Sequence, residues 1–175
     1  MQPVAIRAVE EQDFEGITSI YAHHVLTGLA SFEEIAPDRD EMIARWRNFA
    51  AKSMPYLVAE RDGRVVGYSY ASPYRTRSAY RFTIENAVYV DKDFVGHGIG
   101  GALLSALIKA CAKGPWRQMV AVIGNSGNTA SIALHERLGF RMVGTLERVG
   151  YKHGRWVDTV LMQRTLGAGA AAPPP

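Results

Sequence analysis

Hydrophobic positions along the chain change their period several times, and each change marks an element. Pro3 to Val9 alternates, with Val4, Ile6 and Ala8 on one side and Pro3 at its start, which predicts a short strand. From Phe14 the spacing lengthens. Phe14, Ile17, Ile20, Tyr21, His24 and Val25 fall on one face of a helix that Asp13 is expected to cap. A second helix is predicted after Pro37-Asp38, with Met42, Ile43, Trp46 and Phe49 at helical spacing. Period two returns in the runs from Tyr56 to Glu60 and from Val65 to Tyr70. The Asp62-Gly63 pair between them predicts a hairpin.

The second half is more regular. Phe82 to Val90 alternates as a strand, and beyond it lies a glycine-rich loop, Gly96-His97-Gly98-Ile99-Gly100-Gly101. A helix opens there with Leu103, Leu104, Leu107, Ile108 and Cys111 on one apolar face, and Gly114-Pro115 stops it. Gln118 to Ile123 reads as a buried strand and Asn128 to Leu138 as a helix closed by Gly139. Phe140 to Leu146 and Trp156 to Leu166 read as two final strands. The pattern predicts one mixed α/β (α+β) domain over residues 1–166, built around a single sheet. The Gly, Ala and Pro residues of 167–175 predict a disordered tail.

Composition narrows the function classes. Hydrophobic residues make up 47% and charged residues 21% of the 175, a globular balance that excludes disorder and fibrous repeats. No apolar run approaches the ~20 residues of a membrane span. The first residues also lack the basic start and apolar stretch of a secretory signal, so a cytoplasmic protein is expected. The single cysteine, Cys111, excludes an intrachain disulfide and a Cys-rich zinc site. His23 and His24 are adjacent on a helix and point apart, so no metal site is expected. The net charge of +3 is small, and Arg75 to Arg81 holds too few arginines to track a polynucleotide. A small anionic ligand suits that excess better than nucleic acid does.

The glycine loop carries the chemistry. Gly96, Gly98 and Gly101 match GxGxxG, but Asp91 to Val95 separate the loop from its strand, and Gln118 to Ile123 offers no ribose-binding acid. No Lys-Ser or Lys-Thr follows the glycines, so a Walker loop fails as well. What remains is a loop whose backbone N–H groups, with the helix N-terminus behind them, hold a diphosphate. The stretch Val88-Tyr89-Val90-Asp91, Gly96-His97-Gly98-Ile99-Gly100, Leu103-Leu104 resembles motif A of the Gcn5-related N-acetyltransferases, the GNAT superfamily. A second match runs from Asn128 to His135 and on through Leu138-Gly139-Phe140. The segments Arg77 to Val90, Leu134 to Phe140 and Gly154-Arg155-Trp156-Val157-Asp158 resemble the phosphinothricin acetyltransferase branch. One departure stands at Val95, where the family has Gln or Arg. The expected phosphate contacts are mainly backbone, so that change spares cofactor binding.

The resemblance implies a GNAT fold: a mixed sheet of about seven strands, splayed after the fourth, with helices on both faces. It implies acetyl-CoA as co-substrate without a metal, and a homodimer. It places the cofactor on Val88, Tyr89, Val90, Gly96, His97, Gly98, Ile99, Gly100, Gly101 and Asn128. The acceptor is expected to be a small amino-acid-like molecule of the phosphinothricin, methionine sulfone or methionine sulfoximine type. Glu85, in an apolar strand, is the candidate base, acting directly or through water; a pairing with Arg77 or Arg81 is the competing role. The Val90 N–H is the expected donor to the carbonyl oxygen. His135 stands where many relatives carry a tyrosine beside the departing sulfur. It suits a general acid, and equally a packed or capping histidine. Arg75 and Arg77 offer planar forks for an acceptor carboxylate, and Phe32 and Tyr89 an apolar wall. Thr76, Asn86 and Ala87 complete the expected acceptor site, while Asn125 belongs to a turn. Cys111, on an apolar helix face, argues against an acyl-enzyme. A protein N-terminal acetyltransferase is a rival whose Glu-Val-Arg and Ser-Asn pattern is absent from Val120 to Gly124. A non-catalytic acyl-CoA-binding module would not need Glu85, and a nicotinamide oxidoreductase would bind NAD.

Overall fold

The Asp62-Gly63 hairpin forms with φ of 51° at Asp62 and 73° at Gly63. Positive φ at both positions matches the right-handed twist of the strands it joins. Those strands, β2 (Tyr56–Arg61) and β3 (Arg64–Pro73), sit inside a sheet with β1 (Ala5–Ala8) on one side and β4 (Thr83–Val90) on the other. A computed structural model describes residues 4–174. Pro3, expected to open the first strand, lies outside them. The chain continues through α3 (Ile99–Cys111), β5 (Gln118–Gly124), α4 (Thr129–Arg137), β6 (Arg141–Lys152) and β7 (Arg155–Thr165); α1 (Phe14–Thr27) and α2 (Arg39–Ala50) lie between β1 and β2.

The sheet order is β1-β2-β3-β4-β5-β7-β6, and the β4–β5 junction alone is parallel. β4 and β5 pair only from Thr83↔Gln118 to Asn86↔Ala121. Past Asn86 the strands part, while β5 stays paired with β7 as far as Gly124↔Thr159. This is the expected splay after the fourth strand. α1 and α2 cover one face, where Phe14, Ile17 and Met42 pack with Val58, Tyr56 and Tyr68. α3 and α4 cover the other, where Leu104 and Leu107 pack with Ile84, Met119 and Ala121. The two helical layers bury a core on each side and leave the gap at the strand ends open.

Three local expectations change. Asp13 does not cap α1 with its side chain; it ends a 3-10 turn, accepts the Glu10 N–H at 2.7 Å and pairs with Arg7 at 2.7 Å. The Arg7 pair holds the Asp13 carboxyl below its usual range against the opposing push of burial. The strand expected at Phe140 to Leu146 is longer than the hydrophobic pattern suggests, because β6 runs on to Lys152 and turns at His153 and Gly154, with φ of 49° and 74°. Polar and exposed residues fill much of β6, an edge strand, so its alternation is hidden in the sequence. Over the segment expected to be a disordered tail, the chain turns twice. The Gly169 N–H donates to Leu166 O at 2.9 Å and the Ala171 N–H to Ala168 O at 3.1 Å.

Candidate active site

Where β4 leaves β5, its backbone is exposed along one edge. The Asp91 N–H donates to Val66 O on β3 at 3.0 Å, so the N–H and C=O groups of Val88 and Val90 turn the opposite way, into the gap. The Val90 carbonyl is taken by His24 of α1, whose Nε2–H donates to it at 2.9 Å. That bond fixes the end of the strand and leaves the Val90 N–H aimed at the gap. Burial pushes the His24 pKa down, so its ring donates to Val90 as a neutral imidazole near pH 7.

The glycine loop closes one end of the gap. Gly96 and Gly98 take φ of 84° and 76°, and a Cβ on either would meet no atom within 4 Å. Glycine is needed there for the left-handed backbone rather than for space. Gly98 is the N-cap of α3 and has no side chain to cap it, and the N–H groups of the first turn, Ile99 to Gly101, have no hydrogen-bond partner among the described residues. They and the helix dipole make a site for phosphate oxygens. Val88, Tyr89, Val90, Gly96, Gly98, Ile99, Gly100, Gly101 and Asn128 all line one cavity of about 950 Å³. His97 is exposed beside Phe94 and does not line it. Asn128 also caps α4, accepting the Ser131 N–H at 3.2 Å, and Asn125 turns the chain before it with φ of 72°.

The same cavity continues to the α1–α2 face of the sheet, where Glu85 and Ala87 line it with Tyr21, Ser31, Phe32, Glu33 and Tyr70. Glu85 is half-buried, and desolvation raises its pKa to about 7; the positive charge of Arg75 pulls weakly the other way. The second carboxylate of this wall behaves oppositely. Glu33 accepts from Tyr21 Oη and Arg45 at 2.7 Å each, and these partners hold its pKa below the ordinary value despite burial. Two carboxylates with pKa values pushed apart give one permanent anion and one group poised to exchange a proton near neutral pH.

A family model described as an acetyltransferase (GNAT) domain matches residues 6–161. The chain belongs to the GNAT acetyltransferase family. It is 57% identical to the phosphinothricin N-acetyltransferase of Alcaligenes faecalis over 164 residues, which cover 94% of this chain and 83% of that one. It is 38% identical to the L-methionine sulfoximine/L-methionine sulfone acetyltransferase of Salmonella typhimurium over 168 residues, covering 96% and 98%. The crystal structure of a phosphinothricin acetyltransferase from Sinorhizobium meliloti in complex with acetyl-CoA superposes with a TM-score of 0.96 at 43% identity, covering 99% of this chain and 94% of that one. The enzyme is thus an acetyl-CoA-dependent GNAT acetyltransferase, and the glycine loop with its uncapped helix suits the donor's phosphates.

Other expected residues of this GNAT site fall less neatly. Arg75, Thr76 and Arg77 lie in the exposed β3–β4 connection and do not line the cavity. Arg75 stacks over the Tyr74 ring at 5.0 Å and reaches Glu85 through its charge, while Arg77 opens a 3-10 turn at Ser78–Tyr80. His135 is buried, and both ring nitrogens face protein oxygens: Nδ1 lies 2.8 Å from Ser131 O and Nε2 3.1 Å from Asn86 Oδ1. The Asn86 amide in turn donates to Val120 O at 3.2 Å. Burial lowers the His135 pKa, and the ring packs edge-on against Phe140. Cys111 is fully buried with its thiol pushed up to about 12, unsuited to carrying an acyl group. His24, Tyr21, Ser31 and Glu33 were not singled out from the sequence as site residues. Tyr21 and His24 read there as core positions of an amphipathic helix, and only the tertiary fold turns them to the gap.

Proposed function

We propose that the enzyme moves the acetyl group of acetyl-CoA to the α-amino group of a small amino-acid-like acceptor of the phosphinothricin, methionine sulfone or methionine sulfoximine type. The observation that carries the reading is Glu85: a half-buried carboxyl with its pKa raised to about 7, on the wall of the cavity where β4 and β5 part. The names of the relatives point to the same class of acceptor. Bound acetyl-CoA supplies an activated carbonyl carbon. Glu85 takes a proton from the acceptor ammonium, directly or through one water. An α-amino group with an ordinary pKa near 8 needs only ~1.4 kcal/mol per pH unit for that loss, within reach of one carboxylate. The Val90 N–H donates to the carbonyl oxygen as negative charge gathers there. The amine nitrogen bonds to the acetyl carbon as the C–S bond breaks, sulfur leaves with the bonding electrons, and the second nitrogen proton passes to that sulfur, so that the products are the neutral amide and free CoA thiol. Transfer is direct because Cys111 is buried away from the gap.

His135 serves this reading as a positioning residue rather than as an acid. Its contacts tie α4 to Asn86, the last residue of β4 paired with β5. Arg75 supplies positive charge near the acceptor carboxylate, with Arg77 and Thr76 on the same loop. We also read residues 1–166 as the catalytic domain of a cytoplasmic homodimer. Support for a dimer comes from the exposed apolar residues of β6 and β7, among them Val143, Leu146, Val149, Tyr151 and Trp156. No helix among the described residues is long and apolar enough to cross a membrane.

The test is thiol release from acetyl-CoA with phosphinothricin, methionine sulfone, methionine sulfoximine, ordinary amino acids and an N-terminal peptide as acceptors. Turnover of the analogues that falls at least 100-fold in Glu85→Gln supports the proposal. Turnover of the peptide alone overturns it.

A further inference from the structure

The connection between α1 and α2 crosses the gap. It leaves the half of the sheet formed by β1 to β4 and lies on the ends of β5 and β6, in the other half. Two glycines make room for it. A Cβ on Gly124 would collide with the Leu29 carbonyl, and one on Gly150 would collide with the Phe32 ring. At the same place Lys152, 2% exposed at the end of β6, donates from Nζ to the Ser31 carbonyl at 2.7 Å. On the near side, Tyr21 of α1 shares a hydrogen bond with Ser31 Oγ at 3.0 Å and Arg45 of α2 holds Glu33 at 2.7 Å. The loop is thus fastened from both sides of the gap, and its residues 30–33 form the cavity wall on the Glu85 side.

Burying an ammonium costs free energy that an apolar side chain of similar length would avoid. What the ammonium supplies, and an apolar chain cannot, is the bond to the loop. We propose that Lys152 is a positioning residue for the acceptor: it clamps the Ala30–Glu33 strap across the splayed sheet and so sets the width of the acceptor half of the site. This rests on the reading that the acceptor occupies the Glu85 side. The donor half is built from β4 and α3, which Lys152 does not touch, so the effect is confined to one substrate.

The full-length enzyme with Lys152→Met is expected to show at least a tenfold higher KM for methionine sulfone, with the KM for acetyl-CoA within twofold of wild type. Lys152→Arg, which still donates, recovers most of the loss. Gly150→Ala displaces Phe32 from the other side with Lys152 intact and is expected to raise the same KM. Amide hydrogen exchange at residues 31–33 of Lys152→Met is expected to quicken at least tenfold while α3 keeps its protection. Unchanged exchange in the strap, or equal rises in both KM values, overturns the clamp. Should wild-type enzyme acetylate none of the amino-acid acceptors, the acceptor reading falls, and the exchange measurement still decides whether Lys152 holds the strap.

Discussion

Glu85 and His135 approach the gap from opposite faces of the sheet. Glu85 lies on the side covered by α1 and α2, whereas His135 reaches from α4 to the next residue, Asn86, with Nε2 3.1 Å from Oδ1. A strand separates the two groups, so they exchange no proton directly. Each also has a distinct local task, one toward the acceptor and one toward the seam of β4 and β5.

That division predicts different losses. Glu85→Gln is expected to lower kcat by 10² to 10⁴, the usual scale for a missing general base. His135→Gln keeps a polar group opposite Asn86 and is expected to stay within about tenfold of wild type, while His135→Phe loses more and also unfolds at lower temperature. Comparison of kcat and Tm across the three variants checks this. A loss of kcat in His135→Gln as deep as in Glu85→Gln would show a proton-transfer role for the ring.

Glu85 also sets a pH dependence of stability. Its folded pKa, about 7, lies above the ordinary value of 4.5, so the folded state holds this proton more tightly than the unfolded chain. The stabilisation is fully present below about pH 4.5 and is lost as pH rises through 7. Glu85→Gln should therefore be more stable than wild type at pH 8.5, by about 1–3 kcal/mol, or several degrees in Tm for a chain of this size. The difference should vanish near pH 4. Thermal melts of both proteins at the two pH values measure it. The activity lost and the stability gained come from the same desolvated carboxyl.

Arg75 stands close enough for its charge to favour the Glu85 carboxylate. Arg75→Ala is expected to shift the rise of kcat/KM to higher pH and to raise the KM of a carboxylate-bearing acceptor. Because Arg75 is exposed, salt should screen the effect, and wild-type enzyme in high salt should move in the same direction. Rate profiles between pH 5.5 and 9, at low and high salt, carry the test.

The exposed apolar residues of β6 and β7 give the fourth expectation. Trp156 is 62% exposed and Val149 53%, in a chain where most large apolar side chains are buried or half-buried. Trp156→Glu combined with Val149→Glu should convert a dimer to a monomer by analytical ultracentrifugation, with the far-UV spectrum unchanged. A wild-type protein that is already monomeric would remove the dimer from the reading.

Much of this was legible in residue order. Asp62-Gly63 specifies its hairpin by backbone preference, Asn128 caps its helix by side-chain chemistry, and the glycines before α3 announce a backbone-built anion site. Such signals are local, so a sequence can carry them. Lys152 and Ser31 are 121 residues apart, and His24 and Val90 are 66 apart. A lysine before a turn looks solvated until the fold buries it. Likewise, the forks of Arg75 and Arg77 read as a carboxylate site, but their connection is exposed, and only Arg75 is close enough to influence Glu85.

The short seam between β4 and β5 has a mechanical consequence. Four residue pairs join the two halves of the sheet, against seven between β5 and β7. A force drawing the halves apart would load those four pairs first, together with the Phe82 carbonyl that accepts from the Arg117 and Gln118 N–H groups, the side-chain tie of Asn86 to Val120 and the strap on Lys152. The opening that admits two substrates is therefore also the line along which the molecule would tear.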